Sequence, residues 1–243
     1  MIRGFYTAVA GLIANNGRQA VVADNIANVS TTGFKASRTS QSAFQLELAR
    51  STGGALGPLA TAVIPRGPYI DRSPGPLETT GVPTDLAIDG EGLFVIAGTT
   101  GMAYTRAGNF LLDAAGTLTT QAGEPVLGTD GKPIVVPGGA STFSVGPDGT
   151  VEGTKQKIAI VAWPEGGLER RGGTLLGAPA GAAPLGAAPA AVVRQASLEH
   201  SNVDLATAMT ELIGYQRSLA LNARALSIQD ETLGDAIQFG RLR

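Results

Sequence analysis

The chain has 243 residues and a net charge of -2, with 18 Lys and Arg against 20 Asp and Glu, which excludes the concentrated positive face that nucleic-acid binding needs. It has no cysteine, so disulfides and thiolate metal sites are excluded, and no apolar run approaches the roughly 18 residues that would span a membrane. Hydrophobic residues make up 43%, enough for a core, while 34 glycines and only 16% charged residues suit a turn-rich β region or surfaces buried in an assembly.

At the N-terminus, Ile2, Phe5, Val9, Leu12, Asn16, Gln19, Ala23 and Ile26 step by three and four. That spacing predicts a helix over residues 3–28. The first 29 residues hold three charged side chains, Arg3, Arg18 and Asp24. A helix lying on one core keeps a charged outer face. This one has little to offer water, so it should be covered by its own C-terminal partner and by other molecules. Arg3 followed by an apolar stretch imitates a secretory signal. The helical periodicity continues through Ile26, past any plausible cleavage point, so no cleaved signal is expected. Residues 28–34 end the helix: Ser30, Thr31 and Thr32 compete for backbone hydrogen bonds, and Gly33 can turn the chain through the left-handed region. Residues 1–34 therefore form the first segment. Residues 35–66 read as extended or mixed, with Phe44, Leu46 and Leu48 alternating before the loop-like residues 51–54.

Residues 67–165 change pattern to short strands between turns. The apolar runs 85–88 and 93–97 flank Asp89-Gly90-Glu91-Gly92, which reads as a β-hairpin or a tight strand connection. Further strands are expected at 102–106, 109–112, 116–120, 133–136, 143–145 and 158–163. Spacing of about ten residues with glycine turns argues for an antiparallel β body rather than βαβ units. Residues 166–195 are rich in Gly, Ala and Pro and read as a flexible link or a loosely structured return path. Residues 196–243 are expected to form the closing helix, capped by Ser201 or Asn202. In it Leu205, Leu212, Leu219, Leu226 and Leu233 recur every seventh position. The companion positions are Ala208, Tyr215, Asn222, Gln229 and Ala236. A seam held this long predicts a coiled coil with the N-terminal helix. Asn16 and Asn222 fall in the seams, where an asparagine either fixes register or reaches water at the edge. The fold class is α+β: an antiparallel β-rich centre flanked by terminal helices.

The residues supply no enzyme site. His200 is the single histidine, with no cysteine or G-x-S-x-G serine to work with. Asp85, Asp89 and Glu91 are close in sequence and could be a metal or acid–base cluster, but Asp and Gly at 89–92 are also what a turn needs. Gly90-Glu91-Gly92 lacks the third glycine of a dinucleotide loop, and there is no phosphate-binding loop. Asn28-Val29-Ser30 fits a glycosylation sequon of negligible weight. No cofactor, metal, small-molecule substrate or nucleic acid is expected.

Three blocks carry a family resemblance. Residues 23–35, with Asn25, Asn28, Gly33 and Phe34, form the first. The second joins residues 85–94, with Asp89, Gly90 and Gly92, to residues 104–110. The third runs from Val193 to Asp204 and continues in Gln216-Arg217 and Asn222-Ala223-Arg224. Together they resemble the bacterial flagellar basal-body rod and hook family. Asp24, Thr32, His200 and Leu219 depart from its usual residues. The short body looks most like the proximal rod branch, with the distal rod second and the hook third. The resemblance implies a structural subunit, exported through the flagellar type III channel without a cleaved signal. It would polymerise with itself and other axial subunits into the periplasm-crossing rod. The implied assembly seams are Ile2, Phe5, Val9, Leu12, Asn16 and Ile26 on one helix, and Leu205, Leu212, Tyr215, Leu219, Asn222, Leu226 and Leu233 on the other. A stand-alone coiled-coil binding module or adhesin is the alternative of a different class.

Overall fold

The structure, a computed structural model, describes residues 2–39, 41–43, 63–65, 67–98, 101–139, 143–154, 156–163, 167–179, 186–188 and 191–241. Phe44, Leu46 and Leu48 lie outside them. The fold class is α+β, with antiparallel sheets and a helix at each end. The chain divides into two compact units. One comprises residues 1–27, 37–69 and 204–243, the other residues 28–36 and 70–203.

The first unit contains α1 (Ile2–Ala27), β1 (Ser37–Arg38), β2 (Gln41–Ala43), β3 (Val63–Pro65) and α2 (Leu205–Arg241). Within residues 35–66, expected to be extended or mixed, the described residues include β1 and an antiparallel β2–β3 pair that matches Gln41 with Pro65 and Ala43 with Val63. Asp204, rather than Ser201 or Asn202, caps α2. Its Oδ1 accepts the Ala206 amide at 3.1 Å and its other oxygen accepts the Thr207 hydroxyl. Ser201 Oγ instead accepts the Val203 amide at 3.3 Å, and the Asn202 side chain is engaged by Ala36, Asp71 and Ser73.

α1 and α2 pack side by side. Asn15 Nδ2 donates to Ser218 Oγ at 2.8 Å. The Arg18 guanidinium lies 5.6 Å from the Tyr215 ring centre. A Cβ on Gly11 would stand 3.2 Å from Asn222 Nδ2. Steps of four and three up α1, from 11 to 15 to 18, are matched by equal steps down α2, from 222 to 218 to 215, so the helices run antiparallel. On α2, Ala208 is buried and Leu212, Tyr215, Leu219, Asn222 and Leu226 are half-buried, whereas Leu205 is 39% exposed. The Leu233 side chain lies outside the described ones.

The face of α1 differs from the expected seam. Ala14, Asn15, Val22 and Asn25 are buried, while Asn16 and Ala23 are exposed. Val9, Leu12 and Ile26 are half-buried, and the side chains of Ile2 and Phe5 lie outside the described ones. The reason lies in the composition. A helix with almost no charge carries two stripes one residue apart, and an apolar count selects Leu12–Asn16–Ile26. Close packing instead selects the small and amide residues Gly11, Ala14 and Asn15.

The long stretch of the second unit takes in Ile70 of β4 (Tyr69–Ile70) and continues with β5 (Leu77–Thr79), β6 (Leu86–Asp89), β7 (Leu93–Gly98), β8 (Gly101–Thr105), β9 (Leu111–Leu112) and β10 (Leu118–Thr119). After these come β11 (Ile160–Ala162), β12 (Glu169–Gly172), β13 (Leu175–Gly177), β14 (Gly186–Ala187), β15 (Val192–Gln195) and β16 (Ser197–Glu199). Its main sheet has the order β12-β13-β8-β7-β11-β14. β7 is buried on both faces, so it reads as an unbroken apolar run. Phe94 and Ile96 enter one core with Leu86, Phe110 and Leu118, and Leu93 and Val95 enter another with Tyr104, Trp163 and Leu176. Phe94 meets Phe110 edge to face at 5.2 Å, an arrangement the ring quadrupoles favour.

Of the two readings of residues 85–97, the tight strand connection holds and the hairpin does not: β6 pairs with β15, from Leu86–Gln195 to Asp89–Val192, while β7 pairs with β8. Gly90 and Gly92, with φ of 107° and 149°, divert the chain into a second sheet. Residues 133–136 join through single bridges, Leu127 to Pro133 and Thr117 to Val135, rather than as a strand. The Gly/Ala/Pro-rich stretch contributes β12, β13 and β14 to the main sheet, with Leu176 2% exposed in the core. Its glycines and alanines mask a short alternation that two leucines anchor.

Candidate functional site

Within the second unit the segment that follows α1 meets the segment that precedes α2. Residues 31–36 lead out of the N-terminal helix and residues 197–202 lead toward the C-terminal one. Gly33 has φ 67°, and a Cβ there would lie 2.2 Å from the Ala107 amide nitrogen. Only glycine fits both the backbone conformation and the space. The Gly33 N–H donates to the Glu199 carbonyl at 2.7 Å. Phe34 is fully buried, with the Arg170 guanidinium 4.2 Å above its ring.

Beside Phe34 lies a buried charge cluster. Lys35 Nζ donates to Glu199 Oε1 at 2.5 Å and to the Ser73 carbonyl at 2.7 Å. Arg106 Nη1 donates to Glu199 Oε2 at 3.0 Å and to the Ile88 carbonyl at 2.8 Å, and its Nη2 donates to the Gly90 carbonyl. The Gly75 amide completes the shell of Oε1 at 2.8 Å. Side-chain exposure is 3% for Lys35, 4% for Arg106 and 1% for Glu199. Burial lowers the Lys35 ammonium from its usual range against the opposing pull of Glu199, and it lowers Arg106 in the same way. Two buried cations share one carboxylate, and the Ser73, Ile88 and Gly90 carbonyls accept further bonds from them. Such a cluster holds chain segments in place, because removing one member strands the rest without compensation.

Asn202 laces the same segments. Its Oδ1 accepts the Ala36 amide at 2.7 Å, and its Nδ2 donates to the Asp71 and Ser73 carbonyls, each at 3.0 Å. Gly75 allows close approach from the other side, since a Cβ there would stand 2.1 Å from the His200 carbonyl oxygen.

Among the other sequence candidates, Asn25 acts within the first unit. Its Oδ1 accepts the Ser37 amide and its Nδ2 donates to the Ser37 carbonyl, both at 2.8 Å. An amide side chain thereby mimics a strand neighbour, which a carboxylate could not do. Asn28 Oδ1 accepts the Thr31 hydroxyl at 3.3 Å. Asp89 pairs with Arg194 at 2.6 Å on a half-exposed surface, Glu91 is exposed, and His200 faces Glu78 in the open. Asp85, the third member of that candidate cluster, is buried and accepts the Thr80 hydroxyl at 2.6 Å, so Asp85, Asp89 and His200 each have a separate partner. Among the described residues no three His, Asp or Glu side chains could hold a metal ion, and no helix is long and apolar enough to cross a membrane. In the sequence Lys35, Arg106 and Glu199 stand inside the motif blocks with no assigned role, and Asn202 stands there only as a candidate helix cap. The available signal was that Lys35, Arg106 and Glu199 are charged residues inside the motif blocks of a chain with only 16% charged residues.

The junction joins the three sequence blocks, and known proteins share them. Residues 5–35 match the family described as flagella basal body rod protein, residues 87–153 the flagellar hook protein FlgE/F/G D1 domain, and residues 194–239 the flagellar basal body rod FlgEFG protein C-terminal family. The chain is 35% identical to the flagellar basal-body rod protein FlgG of Bacillus subtilis over 264 aligned residues, covering 99% of this chain and 100% of that protein. It is 33% identical to FlgF of Rhizobium meliloti, covering 98% of both chains, and 31% identical to FlgF of Salmonella typhimurium, again covering 98% of both. With its two ends and its β body matched in the same order along the whole length, the chain belongs to the bacterial flagellar basal-body rod protein family.

Proposed function

We propose that this protein is a structural subunit of the flagellar basal-body rod that assembles with copies of itself and other axial subunits through its terminal helices. The observation that carries the reading is the end-to-end match to rod proteins, 99% of this chain against 100% of the Bacillus subtilis relative. The helix pair agrees with it. Beyond the face turned to α1, α2 exposes Met209, Ile213, Leu221 and Ile228, at 48 to 69%, and α1 exposes Ile13 at 63%. Identical subunits that bury such stripes head to tail form open filaments when the rotation does not close. In that filament the pair would extend into a coiled-coil layer, and the chain would reach it through the flagellar export apparatus. The buried charges of the β body satisfy one another, which suits a structural part rather than a catalytic one.

The proximal rod is the position adopted here, from the short body. The distal rod is the second reading, favoured by the similarity to FlgG of Bacillus subtilis. The test is deletion of the gene in its own bacterium, restoration with an epitope-tagged copy, and gold labelling of purified basal bodies. Label at the inner-membrane end of the rod supports the proximal position, and label next to the hook supports the distal one. Motile cells whose basal bodies carry no label would overturn the rod assignment.

A further inference from the structure

We infer that Glu199 and Asn202 make the seating of the two chain ends a single event: neither residues 31–36 nor residues 197–202 stay docked on the β body without the other. The inference rests on the reading above only in its consequence, that a folded body releases or presents the two terminal helices together.

Four polar contacts run directly from one segment to the other. Glu199 takes the Gly33 amide on its carbonyl, Lys35 on one carboxylate oxygen and Arg106 on the other. Asn202 takes the Ala36 amide on its side chain, and its own amide reaches the Phe34 carbonyl at 3.4 Å. If residues 197–202 leave, Lys35 and Arg106 remain buried without their shared carboxylate. If residues 31–36 leave, Glu199 keeps Arg106 and Gly75 but loses Lys35 and the Gly33 contact. Stranding a buried charge is costly in either direction, so each departure favours the other. Independent anchors oppose this. Phe34 is buried beneath Arg170, and β16 pairs with β5 from Ser197–Thr79 to Glu199–Leu77. If those anchors sufficed, the two segments would open separately. The coupling is therefore a real alternative with its own signature.

Amide hydrogen exchange on the intact chain reads that signature. In Glu199→Gln, which keeps shape and removes charge, exchange at Gly33 and Ala36 and at His200 and Asn202 should rise together, by about tenfold or more. The β7 amides of Val95 and Ala97 should stay protected. Asn202→Ala leaves all three charges in place and touches Ala36 but not Gly33, so faster exchange at Gly33 in that variant shows coupling through the segment. Lys35→Met supplies the reverse arm, with faster exchange expected at His200, which it does not contact. Opening of one segment alone in Glu199→Gln, or an unchanged Gly33 in Asn202→Ala, overturns the inference. If Glu199→Gln fails to fold, the Asn202→Ala and Lys35→Met arms decide it. None of these readouts depends on incorporation into a rod, so failure of the rod assignment would be seen separately in the labelling experiment.

Discussion

Asn15 donates to Ser218 at 2.8 Å across the antiparallel helix pair, while its neighbour Asn16 is exposed. One residue of rotation thus separates a partnered asparagine from a solvated one. Ser218→Ala should leave the buried Asn15 amide without an acceptor and cost about 1–2 kcal/mol. Asn15→Leu combined with Ser218→Ala should recover part of that loss, because both polar partners are then removed together. Asn16→Ala should change stability by less than about 0.5 kcal/mol. Thermal melts followed by helical circular dichroism check all three. A larger effect at Asn16 than at Asn15 would reverse the assignment of faces.

Two faces of α2 are separable by mutation. Leu212→Asp with Leu219→Asp places charge on the face that includes the Asn15 and Arg18 contacts, so both helix pairing and rod incorporation should fail while the β body stays folded. Ile213→Asp with Leu221→Asp acts on side chains that are 50% and 69% exposed. That pair should leave the monomer's melting temperature within about a degree or two, as surface changes do, yet abolish incorporation. Normal motility with the second pair would show that the exposed stripe is not covered in the assembly.

On α2 leucines mark a stripe in the sequence, and its members Leu212, Leu219 and Leu226 are half-buried. On α1 the same method selects Asn16, since a nearly uncharged helix offers no polar face to exclude the wrong stripe. β7 is legible as an apolar run, but its partner is not: Asp89-Gly90-Glu91-Gly92 looks like a hairpin turn until Arg106 is seen bonded to the Ile88 and Gly90 carbonyls. The junction is hidden for another reason. Lys35, Arg106 and Glu199 are separated by up to 164 residues, and no local pattern distinguishes a lysine that will be buried from one that will be solvated. The β12–β13 pair is concealed by composition, because glycine-rich segments score as linkers even where two leucines are enough to seat them.

Gly33 tests the junction by sterics rather than charge. Its φ of 67° and the 2.2 Å approach of a Cβ to the Ala107 nitrogen leave an alanine both strained and clashing with backbone, which cannot swing aside. Gly33→Ala should therefore destabilise the β body by about 2–4 kcal/mol. Urea denaturation followed by the fluorescence of Trp163, which is buried in the same unit, measures this. Gly17→Ala is the control. A Cβ there meets nothing within 4 Å, and helix propensity alone should stabilise α1 by up to about 1 kcal/mol.

Asp204 gives the pH dependence of the start of α2. Its carboxyl is held below the usual 3.8, first by the Thr207 hydroxyl and then by the Ala206 amide. A carboxylate with a depressed folded-state pKa contributes stability that is fully present above the unfolded value and is lost as pH falls through the folded one. The first turn of α2 should therefore be intact at pH 5 and loosen only below 3.8. The amide resonances of Ala206 and Thr207 should follow that titration. Asp204→Asn keeps an acceptor for the Ala206 amide but has no carboxyl to titrate, so its first turn should persist to lower pH. Asp204→Ala should be frayed at every pH. If wild type and Asp204→Asn lose the turn at the same pH, the cap is not what holds the root of α2.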